Sequence, residues 1–180
     1  MLKGEKVTLR AMERTDLAVL HALKRHVDLV VLSSGHWAPE PLASWEAHFD
    51  KHAADEDQGR FVIEAEGALI GTIGLNHPDR RSGTSELGIG IYDPDYLGKG
   101  YGRDAIRVIL EWGFRIQNFR RIWLSVTSDN VRAIRSYAAC GFVEEGRQRE
   151  HVFAAGQYVD LVHMGLLRSE WQDAQGKARG

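Results

Sequence analysis

Three glycines at alternate positions, Gly98, Gly100 and Gly102, lie among Leu97, Lys99, Tyr101 and Arg103, just ahead of a long apolar helical segment from Arg103 to about Gln117. Glycine accepts positive φ and leaves backbone N–H groups free to converge on an anion. A helix N-terminus adds partial positive charge at the same place, and Lys99 and Arg103 add full charges. A diphosphate suits such a loop. The spacing is not that of a Walker loop, which needs Ser or Thr after Gly-Lys where Gly100 stands here. Nor is it the G-x-G-x-x-G of a dinucleotide site. A glycine-rich turn with no ligand satisfies the same residues.

Upstream, Gly88 and Gly90 interrupt Ser85–Tyr92, which otherwise reads as a strand. Glycine weakens a strand interior, so the pair points to a bulge or to a ligand backbone lying close. A twisted strand in a tightly packed sheet is the plainer reading. A glycine-bearing strand that runs into a phosphate loop suits an extended, amide-bearing ligand with a diphosphate at one end, which is the shape of coenzyme A. Downstream, Tyr137 follows Asn130 by seven residues, two turns along one helix face. A tyrosine so placed is by itself most simply core packing.

Elements must position these groups. Val7–Arg10 alternates as a strand, and Thr15-Asp16 can cap a helix whose apolar face is Leu17, Leu20 and Leu23. Residues 28–41 read as a loop, and Ser44 caps a second helix from Trp45 to about Ala54, closed by Asp55-Glu56-Asp57. Phe61–Ala65 and Leu69–Leu75 are strands about a Glu66-Gly67 turn, and 76–83 is a polar turn. Ile122–Val126 is a buried strand and Asn130 to about Cys140 a helix ending at Gly141. Phe142–Phe153 and Tyr158–Leu167 form closing strands, and the chain frays after Trp171. The order β-α-α-β-β-β-α-β-α-β-β makes one α+β domain over 1–180, with 172–180 as a frayed tail.

Composition sets the outer limits. The 180 residues are 43% apolar and 27% charged, as in a soluble globular chain. Bases number 23 against 25 acids, so no basic surplus exists for nucleic acid. No apolar run approaches the roughly 18 residues of a membrane span, the start lacks a secretory apolar core, and the lone Cys140 forms no internal disulfide. These point to a cytoplasmic protein without membrane or nucleic-acid partners. His48 and His52 stand at i, i+4, but no third metal ligand is evident, so a solvated helix face is expected and no metal. Cys140 reads as a small buried side chain, and Ser33, His36 and Trp37 have no assigned role.

Leu97–Gly102 resembles motif A, Q/R-x-x-G-x-G/A, the pyrophosphate loop of the GCN5-related N-acetyltransferases (GNAT). Val126–Ala133 through Tyr137 to Gly141-Phe142 resembles motif B of that family, V-x-x-x-N-x-x-A-x-x-x-Y-x-x-x-G-F, and begins its asparagine 28 residues after Gly102. Leu97 departs from the pattern, standing where many members carry Gln or Arg. The Val7–Arg10 opening, the Gly98–Tyr101 loop and the closing Gly156–Asp160 are similar to the branch that acetylates N-termini of ribosomal proteins, which also includes diamine acetyltransferases. The resemblance implies a three-layer α/β/α domain with a mixed, mostly antiparallel sheet of six to seven strands.

It also implies acetyl-CoA as co-substrate and direct transfer to a primary amine; the near-neutral charge and the absence of a dense acidic cluster before residue 55 then favour a protein or peptide N-terminus over a polyamine or antibiotic-like amine. A homodimer is left open, and a non-catalytic acyl-CoA-binding module is the rival of another class. By the same resemblance Glu86 is the base, directly or through water, and Tyr137 is the acid. A backbone N–H on a bulged strand around Ile89, Gly90 and Ile91 donates to the thioester oxygen. Leu97, Gly98, Lys99, Gly100, Tyr101, Gly102 and Arg103 hold the diphosphate, and Asn130 meets the pantetheine arm.

Overall fold

A computed structural model describes residues 1–34, 37–52 and 59–177. Among the described residues, eight strands form one sheet: β1 (Leu2–Lys3), β2 (Thr8–Ala11), β3 (Gly59–Ala65), β4 (Ala68–Asp79), β5 (Thr84–Ile91), β6 (Arg121–Thr127), β7 (Val143–Ala154) and β8 (Gln157–Leu167). Their spatial order is β1-β2-β3-β4-β5-β6-β8-β7. Every pairing is antiparallel except β5 with β6. The eighth strand, beyond the six or seven expected, is the two-residue β1, which pairs Leu2 with Leu9 and Lys3 with Thr8. Two residues carry no periodicity, so the sequence could not announce it.

The helices of the described residues are α1 (Asp16–Leu23), α2 (Val27–Ser34), α3 (Leu42–His52), α4 (Tyr101–Glu111), α5 (Val131–Ala138) and α6 (Arg168–Lys177). A π-helical turn, Trp112–Ile116, extends α4. Against one face α4 buries Ala105, Ile106, Ile109 and Leu110, which meet Ile73, Leu75, Leu87, Ile122 and Leu124 of the strands. Each such side chain contributes on the order of 1.5–3 kcal/mol by leaving water. On the opposite face Leu20 of α1 packs with Val62 and Tyr92.

Several local expectations change. Residues 27–34, expected as loop from 28, form α2; the run Val-Asp-Leu-Val-Val-Leu-Ser-Ser has no polar stripe to signal a helix. Ser44 lies inside α3 rather than at its cap, and Asp55-Glu56-Asp57 fall outside the described residues. Thr15 precedes α1 without a side-chain cap; the helix start is fixed instead by Asp16, whose carboxylate accepts from Glu13 N–H at 2.7 Å. Arg10 grips that carboxylate with both terminal nitrogens, at 2.7 and 2.8 Å, and reaches Glu64 through Nε at 2.8 Å. The expected polar turn at 76–83 is shorter, because β4 runs on to Asp79. Where a frayed tail was expected after Trp171, α6 continues to Lys177, anchored by Trp171, which is buried with its ring 5.4 Å from that of Phe114.

Candidate active site

The ladder between β5 and β6 has only three pairs, Thr84 with Arg121, Ser85 with Ile122 and Glu86 with Trp123. Beyond them the strands part, and a cavity of about 500 Å³ opens between Ile89–Ile91 on one side and Ser125–Val126 on the other. The expected bulge is absent from β5, which stays in unbroken register with β4 from Glu86 to Ile91. Strand separation, and no bulge, opens the edge of β5 to the cavity. The two strand glycines have packing causes as well: a Cβ on Gly90 would lie 2.5 Å from the Tyr92 ring, and one on Gly88 would lie 2.7 Å from Asn76 Nδ2.

At one end of the cavity the chain turns through Gly98 and Gly100, with φ of 73° and 91°. These left-handed residues must lack a Cβ or pay strain, and the space above both is open apart from the ammonium of Lys6. Gly100 is the N-cap of α4, so the first amides of that helix, without intrahelical partners, face the loop. Leu97, Gly98, Gly100, Tyr101, Gly102 and Arg103 line the cavity, as do Ile89, Gly90, Ile91, Asn130 and Tyr137. Lys99 does not; its carbonyl faces Lys6 instead. The Tyr101 ring is buried and its hydroxyl donates to Glu66, so that side chain fastens the loop to the β3–β4 turn.

At the other end, Asn130 caps α5, its Oδ1 accepting from Ala133 N–H at 3.2 Å. Tyr137 is buried, 9% exposed, beside the Phe142 ring at 6.1 Å. No group among the described residues hydrogen-bonds its hydroxyl, which leaves the phenol to the cavity. Burial, with a small addition from Cys140, pushes its pKa up to about 12. A phenol that holds its proton this firmly is a hydrogen-bond donor at any physiological pH.

Glu86 is not part of the lining. Strand alternation puts it on the face away from α4, at the last β5–β6 pair, with His77 Nε2 3.9 Å from its carboxylate. Three residues that spacing did not single out do line the cavity. Arg132 and Arg135 project from α5, and Ser125 holds His163 Nδ1 at 3.0 Å from its Oγ. The charges of Arg103, Arg132 and Arg135 make the wall attractive to phosphate oxygens.

Cys140, expected as a buried side chain, is only half-buried. Cys140 Sγ donates to Arg103 O at 3.8 Å, and burial pushes its thiol up, away from nucleophilic use. The His48 and His52 rings are 4.5 Å apart, and no metal-ligand cluster occurs among the described residues. Trp37 donates to Lys24 O at 3.2 Å, and His36 lies outside the described residues. No helix among the described residues is long and apolar enough to cross a membrane.

A split parallel pair, a left-handed glycine loop at a helix start and a buried phenol opposite it enclose this cavity. Residues 6–143 match the acetyltransferase (GNAT) domain family, and the chain belongs to that family. It is an N-acetyltransferase, with acetyl-CoA as the acyl donor. Among relatives, it is 36% identical over 172 residues to the spermidine N(1)-acetyltransferase of Vibrio cholerae, covering 93% of this chain and 96% of that protein. The crystal structure of spermidine N-acetyltransferase from Vibrio cholerae in complex with CoA and spermine superposes with a TM-score of 0.85 at 34% identity, over 93% of this chain and 98% of that one. A putative ribosomal N-acetyltransferase of Bacillus subtilis is 29% identical over 107 residues, 59% of this chain and 58% of that protein.

Proposed function

We propose that this protein acetylates a polyamine of the spermidine or spermine class, in the cytoplasm, by direct transfer from acetyl-CoA. The observation that carries the acceptor is the likeness, over nearly the whole chain, to an enzyme named for spermidine and to its complex with CoA and spermine. That likeness favours a polyamine over the protein N-terminus expected from the sequence; the ribosomal relative matches only 59% of the chain. A near-neutral net charge, −2 overall, is no obstacle, because recognition of a polycation needs local carboxylates and not a global surplus.

In this reading the loop 97–103 and the start of α4 hold the diphosphate, with Lys99 contributing through its backbone, and Asn130 meets the pantetheine arm. An amine of pKa near ~10 arrives protonated. Glu86, on the sheet face away from α4, takes that proton through an intervening water. The free nitrogen attacks the thioester carbon, and backbone N–H groups of β5 around Ile89–Ile91 stabilise the oxygen that becomes charged, worth roughly 3 kcal/mol for each aimed donor. Tyr137 donates a proton to the sulfur as the C–S bond breaks, and the second proton shed by the newly acylated nitrogen restores the phenol, so that one proton, the one taken by Glu86, is released overall.

The test is thiol release from acetyl-CoA with spermidine, spermine, N-terminal peptides of ribosomal proteins and aminoglycosides. The highest kcat/KM is expected for the polyamines. Turnover confined to peptides would return the acceptor to a protein N-terminus. Tight CoA binding without thiol release for any amine would make the chain a binding module.

A further inference from the structure

Lys6 lies on the exposed turn between β1 and β2 and outside the cavity lining, yet its side chain reaches the glycine loop. Its Nζ donates to the carbonyl oxygen of Lys99 at 3.0 Å and stands 5.9 Å from the centroid of the Tyr101 ring. It is also 3.6 Å from where a Cβ on Gly100 would be. What brings it there is Asp104, in the first turn of α4. The buried Asp104 carboxylate accepts from three successive backbone amides, Glu5 N–H at 3.2 Å, Lys6 N–H at 2.7 Å and Val7 N–H at 3.0 Å. Gly4 completes the clasp: its N–H donates to Val7 O at 2.9 Å, and a Cβ there would lie 2.4 Å from Asp104 Oδ2. Three donors on one carboxylate fix the segment firmly against α4.

The consequence follows from the planarity of the peptide. In a trans peptide the C=O and the next N–H point to opposite sides. Holding the Lys99 carbonyl toward the N-terminal segment therefore turns the Gly100 N–H the other way. Gly100 lines the cavity, whereas Lys6 and Lys99 do not. On its Gly100 side this peptide meets a left-handed residue without a Cβ and is freer to turn than one between two side-chain-bearing residues, so an external anchor helps to fix its orientation.

We propose that Lys6, seated by Asp104, is a positioning residue that holds the Lys99–Gly100 peptide with its N–H presented to the cofactor's phosphates. The proposal rests on the assignment of the loop to the diphosphate. It places Lys6 behind the loop, acting through a backbone amide and not by touching the cofactor.

Calorimetric titration with CoA of the parent, Lys6→Met and Lys6→Arg tests it, together with steady-state kinetics. Lys6→Met keeps the stem and removes the donor on an exposed turn. It should weaken CoA about tenfold, the order expected for one lost charge-assisted hydrogen bond, and raise the KM for acetyl-CoA while kcat stays within twofold. Lys6→Arg should recover to within threefold of the parent. The deficit should persist in 0.5 M NaCl, since orientation of a bonded peptide is not screened, whereas attraction between separated charges is. Unchanged CoA affinity in Lys6→Met, or a deficit that salt abolishes, would overturn the positioning role while leaving the loop assignment standing. Failure of the parent itself to bind CoA would remove the loop assignment.

Discussion

Asn130 and Tyr137 stand at the two ends of one short helix, the former capping α5 through Ala133 N–H and the latter, in its last turn, presenting its hydroxyl to the cavity that both residues line. The cap thus sets the direction of the helix that aims the phenol. Stability and chemistry are joined at one element, and they can be separated by substitution.

Tyr137→Phe should lower kcat about a hundredfold, the ordinary worth of a placed proton donor, with CoA affinity within twofold. Because burial raises the phenol to about 12, its protonated, donating form persists well beyond neutrality and is lost only as pH climbs through that value. The parent should show no alkaline decline in kcat from this group below pH ~10. A descending limb below that point that disappears in Tyr137→Phe would contradict the assignment.

Asn130→Ala should cost about 1 kcal/mol through the lost cap, lowering the melting temperature by roughly 2–4 °C. Asn130→Asp, which caps equally well, should melt with the parent. Scanning calorimetry on both variants decides it, and equal loss in the two would show that the cap is not what Asn130 supplies to stability.

Glu86→Gln should depress kcat/KM for the amine and flatten its dependence on the acid side, without altering CoA binding. Glu86 lies outside the cavity lining, so the proton must travel through water. Placing Asp there, one methylene further from the site, should therefore retain more activity than Gln. A Gln variant with the parent's pH profile would relieve Glu86 of the role.

The Arg10–Asp16 pair makes a prediction about acid stability. Hydrogen bonding from Arg10 first, and then from Glu13 N–H, holds the Asp16 carboxyl below its ordinary value despite the opposing effect of burial. A folded value below the unfolded one means the stabilisation is complete above the unfolded pKa near ~3.9 and disappears as pH falls through the lowered folded value. Asp16→Asn should cost on the order of 2 kcal/mol at pH 7, and parent and variant should converge as urea midpoints are followed below pH ~4.

Much of the site was legible because it depends on local stereochemistry. Gly98 and Gly100 require left-handed backbone, and only glycine supplies it cheaply; Asn130 and Tyr137 are separated by a whole number of turns. The parting of β5 from β6 was not legible, because it depends on how many residues pair across a crossover. For the same reason the strand glycines suggested a bulge that the register excludes. Lys6 escaped notice because its role is made by a contact with Lys99, 93 residues away. Ser125, Arg132 and Arg135 had no distinguishing spacing, and α2 had no amphipathic stripe.

The three-pair seam between β5 and β6 leaves the molecule as two antiparallel halves, β1–β5 and β6–β8, stitched along a very short length of backbone. A coenzyme lying in that parting, as proposed above, would touch both sides and serve as the missing rungs. Occupancy should therefore knit the halves into a single cooperative unit, and the empty protein should open along that line before it opens anywhere else in the sheet.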